Sequence, residues 1–259
     1  MARIILPNNI DVVVASFGGV GTTFLLSYLA HYKKTNHPAD RDRIKHSPFP
    51  PVSFNIDAKF VYVYGNPQLA TISLFQRGFH HAHSMKLQRW IGKGTSPIPK
   101  EMTLQEYASI GSDRLYFKNH FYNWYHKYLA TIPTLFIRYE TLFDNVDFLL
   151  DFLDIPKTNN DSFPQKKERS SSIADIPIET RKQLDVMYGD FSSELSRLDD
   201  VEIRQAGNRK MFSMTYLTTP YIRAIATQFS HYCKGLLRSH SPRIYRLLKN
   251  IKQLTKRST

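Results

Sequence analysis

Only one cysteine, Cys233, occurs in the 259 residues. That excludes an intramolecular disulfide framework and a cysteine-rich zinc site, and it fits a reducing compartment. No run of about 18 apolar residues occurs, so no transmembrane helix is expected. The opening stretch, MARIILPNNIDVVV, lacks the apolar core and small-residue cleavage site of a secretory signal. A cytoplasmic location is expected from these absences. Acid is also scarce: 22 Asp and Glu stand against 35 Lys and Arg, a formal charge of +13, and no acidic residue follows Glu202. Such an excess favours polyanionic partners such as nucleotides, nucleic acid, acidic glycans or anionic lipid. A solvated basic surface is the plainer reading, and charge alone does not separate them. The chain contains no GK[ST], so a full nucleotide P-loop is missing.

What is present is enough for a sizeable core, with 42% hydrophobic and 13% aromatic residues. Strand signals fall at Val12 to Ala15, Lys59 to Tyr64 and Pro133 to Tyr139. Helical spacing follows them at about Thr22 to Tyr32, Gln68 to Phe79 and Asn145 to Leu153. Further helices are expected over 113–130, where aromatics recur at three- and four-residue steps, and over 179–189. Pro67 suits a first helical turn. Residues 33–57 read as proline-rich loop with a short strand at Arg43 to Lys45, and 80–112 are poorly patterned. Strands alternating with helices predict an α/β domain with a central parallel sheet covered on both faces. The expected division is a domain over 1–200 and a basic, mostly helical extension over 201–259. There Ile244, Leu247, Leu248, Ile251 and Leu254 fit one face. A basic amphipathic helix could lie on an anionic membrane, bind a polyanion, or pack on the domain.

The richest stretch is DVVVASFGGVGTTFLLSY, Asp11 to Tyr28. A strand meets Gly18, Gly19 and Gly21, then Thr22, Thr23 and a helix. That layout offers backbone N–H groups and a helix N-terminus to an anion such as phosphate. A tight connection between strand and helix is the competing reading. His46 is a candidate base, since a hydroxyl is a weak nucleophile and a group titrating near neutrality can take its proton. A structural or exposed loop histidine is the alternative. The H-H-x-H of His80, His81 and His83 has no acidic partner nearby and is weak support for a metal. No metal is expected.

Four segments in order resemble the sulfotransferases that use 3′-phosphoadenylyl sulfate (PAPS). SFGGVGTTFL is similar to that family's phosphosulfate loop, YPKSGTTWL. KFVYVYGNPQLATIS, ending at Ser73, resembles its strand, RNP turn and serine-bearing helix. The aromatic helix with Trp124 sits where that family has a helix with a tryptophan, and Thr134 to Leu142 resembles its later strand and YEDL; separately, Ile44-Lys45-His46-Ser47-Pro48 resembles its K-T-H-x-P segment. The resemblance spans about residues 10–200 and implies a three-layer P-loop-type core. It implies that Gly18, Gly19, Val20, Gly21, Thr22 and Thr23 hold the 5′-phosphosulfate. Ser73, with Arg77, Lys167 and Arg169, would hold the 3′-phosphate. His46, aided by Lys45, would deprotonate an acceptor hydroxyl on a carbohydrate or other small molecule. Two family cations are replaced: the loop lysine falls on Gly19 and the RNP arginine on Gly65. Lys45, Arg77 and the Lys166–Arg169 run are the candidates to replace them, each with a surface cation as the competing reading. Glu140 is expected to hold a strand end. A P-loop kinase and a catalytically silent polyanion-binding protein are the alternatives.

Overall fold

In the computed structural model the three apolar runs Val12–Ala15 (β1), Lys59–Tyr64 (β2) and Thr134–Arg138 (β3) lie side by side as parallel strands. The structure describes residues 4–53, 55, 57–88, 96–127, 130, 132–157, 163–165 and 172–205. All of them belong to one compact unit, Ile4–Arg209. Register pairs Val14 with Val61 and Tyr62 with Phe136. Consecutive residues are buried along each strand, and successive side chains point to opposite faces, so both faces of the sheet are covered. This bears out the α/β reading of a mostly parallel sheet.

A fourth strand, Val201–Arg204 (β4), pairs antiparallel with β3. The sheet therefore runs past the boundary expected at residue 200. The rest of the expected extension, including its basic helix, lies outside the described residues. At the other edge the Asn36 side chain brackets Val14. Its Oδ1 accepts the Val14 N–H at 2.8 Å and its Nδ2 donates to the Val14 carbonyl at 3.1 Å.

Helix α1, Thr22–Leu29, follows β1 and stops short of Tyr32. The chain is drawn back to the sheet edge, where the Asp11 and Val12 N–H groups donate to the Lys34 carbonyl at 2.8 and 3.1 Å. No strand forms at Arg43 to Lys45. The segment is a turn, with Asp40 and Arg43 in left-handed backbone (φ 57° and 64°) and Asp42 accepting from the His37 and Ile44 N–H groups. Helix α2, Pro67–Gln76, carries Pro67 in its first turn as expected.

Residues 80–112 are more regular than their pattern suggests, forming α3 (His80–Gln88) and α4 (Leu104–Ser109). Helix α4 opens on a capping box of Thr103 and Glu106, a sequence signal that the apolar periodicity masks. The aromatic segment is broken instead of one long helix. It forms α5, Phe117–Tyr122, followed by a π-helical stretch, Asn123–Lys127. The break lets Trp124 turn inward, where its indole N–H donates to the Ser47 carbonyl at 2.8 Å. Tyr62 packs on Trp124 and Phe136 with ring centroids 5.2 and 5.4 Å away, and these rings form the central core. A 3₁₀ stretch, Tyr139–Asn145, leads from β3 into α6, Val146–Phe152. Helix α7, Ile178–Ser196, runs through Gly189 and past its expected end. It buries Leu184, Tyr188, Phe191 and Leu195 on one stripe. Among the described residues no helix is long and apolar enough to cross a membrane.

Candidate functional site

The end of β1 is built around Ser16, which is fully buried. Its hydroxyl accepts the Gly18 N–H at 3.1 Å, and its own N–H donates to the Lys45 carbonyl at 3.0 Å. The chain then passes Gly18, Gly19 and Gly21 with φ of 104°, 72° and 72°. These are left-handed conformations that glycine adopts freely. At Gly19 the need is absolute in a second sense: a Cβ would lie 2.7 Å from the Ala70 carbonyl oxygen and 2.8 Å from its Cα. A lysine at this position would strike the backbone of α2.

Gly21 caps α1 with no side-chain hydrogen bond. Among the described residues the N–H groups of Gly19, Val20, Gly21, Thr22 and Thr23 find no hydrogen-bond acceptor. The loop thus presents a row of unclaimed donors at the positive end of a helix. Ala70, which meets Gly19, is one turn before Ser73 on α2. The same helix face therefore carries half-buried Ser73 beside the loop. Arg77 follows one turn later, exposed, with its Nε donating to the Ser73 carbonyl at 3.0 Å.

Lys45 is 7% exposed, and its Nζ donates to the Thr23 hydroxyl at 3.0 Å and the Pro38 carbonyl at 2.5 Å. Burial lowers its pKa; Asp40 opposes that, while Lys86 and Arg77 add to it. Lys86 on α3 was not singled out by the sequence. Its Nζ sits 2.6 Å from Oδ2 of Asp40, whose side chain is almost fully buried. Lys45 thus touches the glycine loop through Thr23, and Lys86 and Arg77, from two other elements, place their charge on Lys45.

His46 is half-buried, and its Nδ1 lies 3.1 Å from the Ser16 carbonyl. A carbonyl only accepts, so Nδ1 carries the proton and Nε2 keeps its lone pair. Desolvation, then His83, then Lys45 hold its pKa well below the ordinary histidine value. The ring is therefore neutral across the physiological range.

The other histidines of the cluster diverge. His80 Nε2 lies 3.1 Å from the Lys100 carbonyl and His81 Nδ1 lies 2.7 Å from that of Ile98. His83 instead faces His46, with ring centroids 5.0 Å apart and nearly perpendicular. Among the described residues no group of three or more His, Cys, Asp or Glu could hold a metal ion.

Gly65 is not in left-handed backbone, but a Cβ there would lie 2.9 Å from both carboxylate oxygens of Glu140 and 3.2 Å from Val20 Cγ1. Glu140 Oε1 accepts the Asn66 N–H at 3.2 Å, tying β2's exit to the end of β3. An acid stands where the resemblance would place an arginine stem. Lys166, Lys167 and Arg169 lie outside the described residues. Beside Lys45, an open basin runs along Lys33, Lys34, His37, Pro38 and Arg41. It adjoins the loop through the Lys45 ammonium, which touches both Pro38 and Thr23.

No protein-family model matches this chain, and no curated protein matches it. The resemblance to sulfotransferases rests on the order of its four motifs.

Proposed function

We propose that this chain is a PAPS-dependent sulfotransferase on a P-loop-type core, with a carbohydrate or other small hydroxyl compound as acceptor. The observation that carries the reading is the loop itself: unclaimed amides at the start of α1, with the Lys45 ammonium on Thr23 and a neutral His46 fixed to the same loop by Ser16. In this reading the loop amides of Gly19 to Thr23 bind the 5′-phosphosulfate of the donor substrate, and Gly18, whose N–H is held by Ser16, shapes the turn. Ser73 and Arg77 face the 3′-phosphate, with Lys167 and Arg169 as further candidates. The acceptor enters over the basin beside Lys45. His46 Nε2 takes the hydroxyl proton as the acceptor oxygen bonds to sulfur. The bond from sulfur to the 5′-phosphate oxygen breaks, and the new phosphate charge is met by Lys45 and the amides. The protein's part is positioning and charge stabilisation.

Glu140 beside Gly65 supports a second reading, a silent polyanion-binding protein, because it removes attraction where the donor would need it. A kinase is disfavoured by the absent GK[ST] and by β2 ending on Tyr64 without an acid. Calorimetry with adenosine 3′,5′-bisphosphate decides among the three. Saturable, magnesium-independent binding is expected. No heat at millimolar ligand would overturn the sulfotransferase reading. Magnesium-dependent nucleotide binding would favour the kinase. Salt-sensitive binding to any polyanion, without preference for the bisphosphate, would favour the silent protein.

A further inference from the structure

Behind the glycine loop lies a second imidazole that the four motifs do not include. His83 is 5% exposed, and its Nε2 is buried without a hydrogen-bond partner. It reaches this position because α3 is anchored one turn earlier. His80 stacks flat on Phe75 at 4.2 Å and holds the Lys100 carbonyl. One turn on, His83 meets the loop where Gly18 leaves room: a Cβ on residue 18 would lie 2.6 Å from His83 Cε1 and 3.0 Å from Nε2. His46 binds the Ser16 carbonyl, and His83 interacts with the backbone of the next residue, Phe17. Two rings are thus seated on consecutive residues of one strand end, edge to face, 5.0 Å apart.

We propose that His46 and His83 act as one unit that takes up a single proton, with His83 as the positioning residue that keeps His46 ready to accept it. The catalytic half of this rests on the sulfotransferase reading; the pairing itself does not. The surroundings leave little room for two charges. Lys45 from the 40–45 turn, Lys86 from α3 and Arg77 from α2 all place positive charge on the pair. His120 from α5 stands next to His83, and Phe117 closes the apolar side at 6.1 Å. The nearby acids act on the lysines and not on the rings: Asp40 is paired with Lys86 and, with Asp42, acts on Lys45. Burial holds His83 down to about 4. Rings this close titrate as a pair, in two steps that belong to both.

The test is a histidine-resolved NMR titration of the full chain, run beside the pH profile of kcat/KM for sulfuryl transfer. In the wild type each ring should report two inflections. In His83→Asn, His46 should show one inflection, moved up by about one pH unit, a tenfold change in its protonation ratio. The acid limb of kcat/KM should move up with it. The reciprocal variant, His46→Asn, should raise the His83 midpoint and keeps the test available if His83→Asn does not fold. Single-step curves in the wild type, with neither midpoint moving in either variant, would overturn the pairing. Coupled titration in a chain that transfers no sulfuryl group supports the pair and removes the sulfotransferase reading. Transfer with uncoupled rings overturns the pair and leaves that reading standing.

Discussion

At the end of β1 the chain enters α1 through Gly21, in left-handed backbone, with no side chain on the first amides. At the end of β2 it enters α2 through Asn66, whose Oδ1 accepts the Leu69 N–H at 3.0 Å. Pro67 then fills the next position and has no N–H to satisfy. Glu140 takes the Asn66 N–H as well. Two strand–turn–helix units of similar pattern thus differ in what they leave over. The second satisfies the Asn66, Leu69 and Ala70 N–H groups internally and ties the end of β2 to the end of β3. The first leaves the Gly19 to Thr23 donors unclaimed among the described residues. A helix start becomes chemistry only when the protein declines to cap it.

The largest test of that difference is at the open end. His46→Ala should lower sulfuryl transfer by about 10²–10⁴-fold, the usual worth of a positioned base. Affinity for adenosine 3′,5′-bisphosphate should stay nearly unchanged. Wild-type turnover in the variant would remove His46 from the mechanism.

The open end is walled by neutral buried rings, and this should appear in stability. Desolvation lowers His83 to about 4 and His120 to about 3, against about 6.5 when unfolded. The unfolded chain therefore binds more protons below pH 6.5. Stability is complete above that pH and declines as pH falls toward 4, by about 3 kcal/mol for each ring. Asp113, raised to about 6 by burial, works the other way and offsets about 3 kcal/mol. His46, also held well below the ordinary histidine value, acts in the same direction, so urea unfolding should show a net loss of about 3 kcal/mol or more between pH 6.5 and 4. A flat or rising profile would contradict the buried neutral rings.

Restoring the two cations separates the ends again. Gly19→Lys should destabilise by about 2 kcal/mol or more, from left-handed backbone and a clash with α2. Gly65→Arg should cost less, because the Glu140 carboxylate is the far end of a flexible side chain and can pair with the guanidinium. Equal losses in chemical denaturation would erase the distinction. The smallest effect is expected at the closed end. Asn66→Ala removes the cap on Leu69 and should cost about 1 kcal/mol, without altering bisphosphate affinity.

The three parallel strands and the glycine loop were legible because burial on both faces demands unbroken apolar runs and a left-handed turn demands glycine. β4 was not: VEIR is short, half-exposed and charged, as an edge strand tolerates. Helix α3 was hidden because its inward positions are His80, His83, Ser84 and Leu87, a helical spacing written mostly in polar residues. Lys86 had no signal at all, since its partner Asp40 is 46 residues away. The aromatic helix was overextended because periodicity does not reveal a π-type break. Lys45 and His46 came from a motif. Their linkage to Thr23 and Ser16 came only with the fold.

The amide of Asn36 does for β1 what a neighbouring strand would do. One side chain spends both its donor and its acceptor on Val14, so the outer rim of β1 has no vacancy there for another chain to join. A sheet sealed on that side is protected from templated stacking, the usual hazard of a bare rim. Among the described residues no strand pairs with the opposite rim, along Val201–Arg204. Asn36→Ala should therefore show its cost first as self-association at high concentration, before the cooperative unfolding transition moves far.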